Sequence, residues 1–394
     1  MLMMGVLMQP DADLIILGGG CAGLSLALHL AELGDKCPKI LILESRSEYT
    51  NDRTWCFWDC GSAALSHLST QSWVNFSLQT AGRSVFVNCP SLPYKMITGL
   101  DFYEYALKRI TLSQKISIML DNPVISVPKK EAGLWCVNSS LGLKRAPKIV
   151  DTRPQLVPQK GQALLWQSFL GHEIECDQAT FDPTKVALMH FRKDHRPHIL
   201  FTYVLPFTKN RALIEVTVFG QDPLKPDALA NELESIILER LNNTPYTIIR
   251  SEHGILPMGQ KLVHKCSDPT YVHAGLMAGG ARPSTGYAFQ RIQRWSKACA
   301  KTIAEGKNPI GHLPSSKIVD AMDTIFLRVI RSNPKIAPEL FTALFSKVDS
   351  SRLIRFLSDE GSFADLGAII SSLPAVPFLK ELPRTFMSKL TKEG

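Results

Sequence analysis

Three groups of residues have the types and spacing to do chemistry. Gly18, Gly20 and Gly23 form G-x-G-x-x-G directly after the apolar run Leu14–Leu17. Gly18 would permit a tight turn, Gly20 would let a diphosphate approach the backbone, and Gly23 would let a helix pack close to a strand. Glu44 closes a second apolar run, Ile40–Leu43, and an acid there suits the two hydroxyls of an adenosine ribose. Arg46 leaves a small opening for a 2′-phosphate, but Glu44 argues against it. The chemistry is adenine dinucleotide binding. A second glycine-rich stretch, Met277-Ala278-Gly279-Gly280-Ala281 followed by Pro283-Ser284-Thr285-Gly286, lies far downstream and also precedes a helical pattern. One dinucleotide touched by two helix N-termini is what a flavin requires: one for the diphosphate, one for the electron-rich pyrimidine edge. The third group is Glu215, the carboxylate inside LeuIleGluValThrValPhe (213–219). Burial would raise its pKa and keep it protonated. Alternation alone favours the opposite placement, with Ile214, Val216 and Val218 facing in and Glu215 facing out.

These residues need elements to position them. Leu14–Leu17, a helix over Ala22–Leu33 stopped by Gly34, and Ile40–Leu43 read as one βαβ unit. Thr50–Trp58 sets three aromatics around an arginine, as cofactor cover or as core. Short strands are expected over 65–90, a helix over Asp101–Arg109, strands at Ile116–Met119 and Leu134–Val137, and a hairpin over Asn138–Arg145. Lys148–Asp151 reads as a strand returning to the nucleotide-binding sheet. The pattern then changes. Strand-like runs at 167–172, 186–191, Ile199–Pro206 and Arg211–Phe219, with a turn at 208–210, predict a second, mostly antiparallel sheet over about 160–250. Ala228–Leu241 is an amphipathic helix. Tyr271–Leu276 and Tyr287–Ala304 form another strand–turn–helix, and the pattern is helical from residue 317. The fold class is therefore α/β: a Rossmann-type G-x-G-x-x-G domain (11–160 and 251–310), an inserted antiparallel β substrate domain (161–250), and a C-terminal helical region (311–394). That tail is rich in Phe and Leu and suits a helical cap or a membrane-facing lid.

The 394 residues suggest two or three lobes, and 45% hydrophobic and 20% charged residues are globular values. A net charge of +8 is spread along the chain without an arginine-rich arm, so no nucleic-acid partner is expected. Nine scattered cysteines read as reduced thiols of a cytoplasmic protein. His190, His195 and His198 match no ligand pattern, and no metal is expected. The first ten residues make a poor signal peptide. No apolar stretch reaches the ~18 residues of a spanning helix, so membrane contact would be peripheral.

Over nearly its whole length the chain resembles the bacterial FAD-dependent lycopene β-cyclases. The resemblance rests on GlyGlyGlyCysAlaGly at 18–23, ArgThrTrpCysPheTrp at 53–58, IleValAspThrArg at 149–153, GlnSerPheLeuGly at 167–171 and LeuMetHisPheArg at 188–192. It continues through LeuProPhe to LeuIleGluValThr (205–217), AlaGlyGlyAlaArgProSerThrGlyTyrAlaPhe (278–289), Met322–Leu327 and ArgPheLeuSerAsp (355–359). It implies cyclisation of the acyclic ends of lycopene or a related carotenoid to β-rings, with no net redox change. It also implies reduced FAD, with NAD(P)H as the reductant, held by Gly18, Gly20, Gly23, Glu44, Arg53, Asp151, Gly279, Gly280, Thr285 and Gly286. Under this resemblance Glu215 becomes the candidate acid or proton relay. Trp55, Phe57 and Tyr287 are candidate stabilisers of a carbocation. The chain departs from the family at His190, where an Asp is usual, and Ala281-Arg282 falls where members vary. Gly280 stands where oxygenase relatives place an Asp. An FAD monooxygenase or reductase of the same fold, and a carotenoid-carrying flavoprotein, are the other readings.

Overall fold

A computed structural model describes residues 9–154, 160–192, 198–259 and 266–390, with side chains to residue 382. His195 and the first eight residues lie outside that range. In chain order the elements begin with β1 (Leu14–Leu17), α1 (Cys21–Ala31), β2 (Ile40–Leu43), β3 (Thr54–Trp58), β4 (Gln71–Trp73), β5 (Asn75–Thr80), β6 (Arg83–Asn88) and β7 (Tyr94–Thr98). Next come α2 (Gly99–Thr111), β8 (Ile116–Met119), β9 (Lys129–Glu131), β10 (Leu134–Ser139), β11 (Gly142–Ala146) and β12 (Lys148–Asp151). The middle holds β13 (Leu165–Cys176), β14 (Lys185–Phe191), β15 (Ile199–Pro206), β16 (Arg211–Gly220), α3 (Asp227–Arg240) and β17 (Tyr246–Met258). The last strand is β18 (Tyr271–His273), and α4 (Phe289–Ala304) follows it. The tail is α5 (Lys317–Ser332), α6 (Ala337–Lys347), α7 (Ser350–Leu357), α8 (Phe363–Ser372) and α9 (Ala375–Leu390).

The first sheet is parallel, in the order β18-β12-β1-β2-β8. Its two central apolar runs are buried on both faces, as continuous hydrophobic strands in a parallel sheet must be. In-register pairing puts Leu17 beside Leu43 and Asp151, so the turns after β1, β2 and β12 emerge together. Helix α1 starts one residue earlier and stops two earlier than its pattern predicts. It is buried almost all round because it also packs against α2 and α4, and Gln293 Nε2 donates to Ser25 Oγ at 2.8 Å across the α1–α4 contact.

The second sheet has the order β17-β13-β16-β15-β14-β5-β6 and is antiparallel except where β14 meets β5. Its two outer strands β5 and β6 come from residues 75–88, inside the 11–160 segment, and β17 runs past residue 250. Sequence distance hides this, because strand pairing is set by which apolar faces can be covered, not by chain proximity. Small three-stranded sheets, β3-β7-β4 and β9-β10-β11, flank the two large ones.

Both faces of the second sheet are covered. On one, Ile214, Val216 and Val218 pack against Leu229, Leu233, Ile236 and Ile237 of α3. On the other, Leu213, Phe219, Phe201 and Leu205 meet the C-terminal helices through Leu340, Phe341, Leu344, Leu353 and Ile354. Glu215 therefore does face away from Ile214, Val216 and Val218, yet it stays buried at 8% exposure. The expected solvent on that side is protein.

Candidate functional site

The first glycine turn has the geometry its spacing predicts. Gly18 has φ +92°, and a Cβ on Gly23 would sit 2.0 Å from the Gly18 carbonyl oxygen. A Cβ on Gly20 would meet nothing nearer than Arg46 Nη2 at 3.6 Å, so its outer side is open. Thr152 Oγ1 donates at 2.9 Å toward the carbonyls of Leu17 and Gly18 and fixes the turn from β12. Glu44 is buried and accepts from Gly19 N at 2.6 Å and Arg46 N at 2.9 Å. Burial opposes its charge, but the bonds from Arg46 and Gly19 outweigh it and hold its carboxyl below the ordinary range. Arg46 also lies over the rings of Tyr49 and Tyr103, at 4.9 and 5.2 Å. This clamp of one cation and two aromatics was missed in the sequence. Its signal, an arginine two residues after the acid with a tyrosine three further on, was present.

Asp151 ends β12 beside Leu17, next to this turn, whereas Arg53 precedes β3; the polar groups of both are engaged. Asp151 accepts from Arg153 at 2.9 and 2.7 Å and from the Tyr271 hydroxyl at 2.7 Å. Burial works against its charge and Arg153 restores it, lowering its pKa. Arg53 donates to the carbonyls of Asp52 (2.9 Å) and His253 (3.2 Å), bridging to β17.

The second turn meets the first. A Cβ on Gly275 would contact Ala22 Cβ of α1 at 3.3 Å. Gly279 has φ +90°, and Gly280 leaves no room for a side chain, since a Cβ would lie 2.6 Å from the Gly275 oxygen. The strand before it is shorter than predicted, because 276–278 turn into a 3-10 helix. His312 Nε2 accepts from Gly275 N at 2.9 Å, and burial with the nearby Arg291 pushes this imidazole down to about 4, so it is a neutral acceptor. Thr285 Oγ1 accepts from Tyr287 N at 3.3 Å, and Gly286 has φ +74°. A Cβ on Gly286 would come 2.6 Å from Gln167 Oε1, a buried atom with no hydrogen-bond partner among the described residues. Two helix N-termini, a glycine turn open at Gly20 at the first and an unpartnered amide oxygen at the second fit a flavin dinucleotide.

Glu215 lies beyond Gln167 on the same sheet. It pairs with Gly171 on β13 and Tyr203 on β15. Thr217 Oγ1 donates to its Oε1 at 2.5 Å. Burial first, and the charge of Glu252 second, push its carboxyl up to about 8, so it is a neutral acid at pH 7. Tyr203 OH donates to Tyr94 OH at 3.0 Å, and Tyr94 and Tyr287 hydroxyls are 3.5 Å apart. Burial drives the Tyr94 and Tyr203 phenols well above their usual range and holds Tyr287 and the Cys56 thiol at about 12. This cluster of neutral hydroxyls and a thiol was absent from the sequence reading, which saw Tyr287 alone.

A cavity of about 240 Å³ runs from an outer rim at Ser62, Arg294, Lys297 and Glu360 to an inner wall of Cys56, Phe57, Trp58, Tyr287 and Phe289. Two of the three aromatics named as cation stabilisers, Phe57 and Tyr287, line it. Trp55 does not: it stacks on Phe289 and edges onto Phe102 and Tyr103 in the nucleotide-binding core. Phe57 shares Trp55's side of β3 and also stacks on Phe289, but it reaches the cavity, as Cys56 and Trp58 do from the other side. His190 lies elsewhere on β14, hydrogen-bonded to Ser77 Oγ at 3.0 Å; burial and the charges of Arg240 and Lys185 push it down to about 4. Among the described residues no group of His, Cys, Asp or Glu has metal-binding geometry.

Comparison with known proteins adds the following. A family model described as "Lycopene cyclase protein" matches residues 13–382. The chloroplastic lycopene beta cyclase of Nicotiana tabacum is 24% identical over 317 residues, 74% of this chain and 60% of that protein. The lycopene beta cyclase of Synechococcus elongatus is 22% identical over 327 residues, 78% of this chain and 75% of that protein. The chain thus spans about 60% of the length of its plant relative. Among solved structures, the flavin-dependent brominase Bmp2 superposes with a TM-score of 0.62 at 12% identity, covering 95% of this chain and 99% of that one. A geranylgeranyl bacteriochlorophyll reductase-like protein from Thermoplasma acidophilum gives 0.61 at 14%, with coverages of 95% and 99%. A variant of the halogenase PltM in complex with FAD gives 0.55 at 12%, with 87% and 78%. At these identities the likeness is one of fold: an FAD-binding Rossmann-type domain joined to an antiparallel sheet.

Proposed function

This chain belongs to the lycopene cyclase family, and on that premise we propose that it is a lycopene β-cyclase that closes the acyclic ends of lycopene or a related carotenoid into β-rings. The observation that carries the reading is Glu215, a buried carboxylic acid pushed up to about 8 and so mostly neutral at pH 7, close enough to Cys56 on the inner wall of an aromatic-lined cavity to act on its thiol. Ring closure needs a proton delivered to a terminal isoprene double bond, a shielded cation, and loss of a proton from the new ring. A neutral acid in a dry site supplies the first, and the carboxylate it leaves behind can take up the proton lost in the third, which restores the acid. Phe57, Trp58, Tyr287 and Phe289 offer ring faces to the second and exclude water.

Gly18, Gly20, Gly23, Glu44 and Arg46 would hold the diphosphate and ribose of FAD, and Gly279, Gly280, Thr285, Gly286 and Gln167 its ring end. Asp151 would brace the first turn through Arg153, and Arg53 would tie the start of β3 to β17. When bound in reduced form, with NAD(P)H as reductant, the flavin would supply an electron-rich ring and negative charge to the site.

The substrate class implies contact with a bilayer. Among the described residues no single helix is long and apolar enough to cross one, although α8 and the first half of α9 form an apolar pair bent by 108°. Their exposed Phe363, Ile370, Val376 and Leu379 suit shallow seating on a cytoplasmic membrane face. The test is expression in cells that accumulate lycopene, with pigments separated by chromatography. Monocyclic or bicyclic β-ring products are expected. Unchanged lycopene with FAD-loaded protein overturns the reading, and oxygenated product formed with stoichiometric consumption of NAD(P)H assigns the monooxygenase reading instead.

A further inference from the structure

Glu215 has a carboxylate neighbour that the proposed chemistry does not use. Gly171 pairs with Glu215 on one side and with Glu252 of β17 on the other, so both acids stand on one face of the sheet with a glycine between them. A Cβ on Gly171 would lie 3.3 Å from Glu215 Cβ and 3.5 Å from its Cγ. The Glu215 side chain thus fills the gap that the missing side chain leaves. Glu252 is 4% exposed and is fixed from two directions. Arg250 Nη1 donates to its Oε2 at 2.6 Å and Thr54 Oγ1 to the same atom at 2.7 Å. Arg250 also donates to Thr54 Oγ1 at 2.7 Å and to Glu173 Oε2 at 2.5 Å, and Arg211 holds the other oxygen of Glu173 at 2.6 Å.

The two carboxyls therefore have unlike surroundings. One has an ion-pair partner, and the other has a single hydroxyl. Buried like charges cannot both ionise cheaply, so the one with the arginine takes the charge and the other keeps its proton. We propose that Glu252, clamped by Arg250 and Thr54, is the positioning residue that keeps Glu215 in its neutral, proton-donating form. The titratable and charged groups facing Glu215 are Glu252 with Arg250 on β17, Glu173 beyond them on β13, Tyr203 on β15 and Cys56 on β3. Burial holds Tyr203 and Cys56 neutral, which leaves Glu252 as the anion that acts on Glu215.

The inference rests on the cyclase reading for its purpose, but its test does not need turnover. Infrared difference spectra of the FAD-loaded protein follow the carbonyl stretch of protonated carboxyls as pH rises, with Glu215→Gln identifying the Glu215 band. The wild-type band should persist at neutral pH and titrate near 8. In Glu252→Gln the midpoint should fall by roughly one unit or more, while Glu252→Asp, which keeps the charge, should stay close to wild type. The alkaline limb of the cyclisation profile should move in the same direction. An unchanged midpoint in folded, FAD-loaded Glu252→Gln overturns the proposal, as does a wild type without a Glu215 band at pH 7. If Glu252→Gln fails to fold, Arg250→Gln with Glu252→Gln removes both members of the pair, leaves Glu173 its second partner Arg211, and is read by the same criterion. A shifted midpoint in a protein that makes no cyclic carotenoid upholds the positioning role and overturns the cyclase reading alone.

Discussion

Glu215 carries two predictions of its own. Glu215→Gln keeps the shape and most of the hydrogen bonding but has no acidic proton. Product per bound FAD should fall by about 10²–10⁴-fold, the usual cost of losing a positioned acid. Glu234, on α3 outside its apolar face and solvent-exposed, should tolerate the same change. Near-normal product from Glu215→Gln would remove it from the mechanism. The second prediction concerns stability. A carboxyl raised to about 8 from 4.5 binds more protons folded than unfolded between those values, so stability falls as pH rises through that window. The melting temperature of the wild type should drop between pH 5 and 8, and that of Glu215→Gln should drop less; parallel curves would mean that the carboxyl is not buried as an acid. Much of this residue was legible in the sequence. Alternation along 213–219 gave the right face, and only the covering of that face lay beyond a one-strand pattern. Glu252 was not found, although Arg250 and Glu252 stand two apart on one strand. Their meaning depends on a glycine some eighty residues away.

The strand–turn–helix units were the most legible elements, since G-x-G-x-x-G between two apolar runs needs only local geometry. What joins the second unit to the tail was not legible. Arg282 and Asp323 are 1% and 2% exposed and form a bidentate pair, with both contacts at 3.1 Å. Ser284 Oγ donates to Asp323 at 2.8 Å, and Arg282 also donates to the Phe356 carbonyl while its guanidinium lies 4.1 Å from the Phe356 ring. The turn before α4 is thereby tied to α5 and α7. Arg282 falls where members of the resembled family vary, and partners 41 and 74 residues away left no local signal of its role. Removing one member of a buried pair costs about 3–5 kcal/mol, so Asp323→Ala should lower the unfolding free energy by about that much and reduce FAD retention. Replacing both, as Arg282→Met with Asp323→Leu, should recover a large part of the stability. Equal losses in the single and double variants would show that the pair's charge is not what matters.

At the scale of the whole molecule, the two glycine turns, the carboxyl pair and the cavity fall along the junction of the parallel and antiparallel sheets, and the cavity's outer rim lies against the α7–α8 link. Leu357, Ser358, Asp359 and Glu360 line it, and α8 begins three residues later at Phe363. Asp359 is held there by Arg291 at 2.9 Å and Arg294 at 3.0 Å, with Lys297 exposed one turn further along α4. Next in the chain after this rim of mixed charge, α8 and α9 expose Phe363 (81%), Ile370 (60%), Val376 (63%) and Leu379 (59%). The proposed seating on an anionic bilayer surface would use this exposed apolar helix pair, with Arg294 and Lys297 on the rim facing the lipid headgroups. The prediction is that the FAD-loaded protein pellets with vesicles containing phosphatidylglycerol and is released by high salt or alkaline wash. Changing Phe363, Ile370, Val376 and Leu379 together to Ser removes the apolar contact. Each fully buried side chain of this kind is worth about 1.5–3 kcal/mol, so partial insertion of four should make binding at least roughly tenfold weaker without them. FAD content and activity on detergent-dispersed substrate should not change, because none of the four lines the cavity. Vesicle binding by the fourfold variant equal to wild type would move the membrane contact to another face. Loss of activity on dispersed substrate would make these residues part of the core and not of a docking surface.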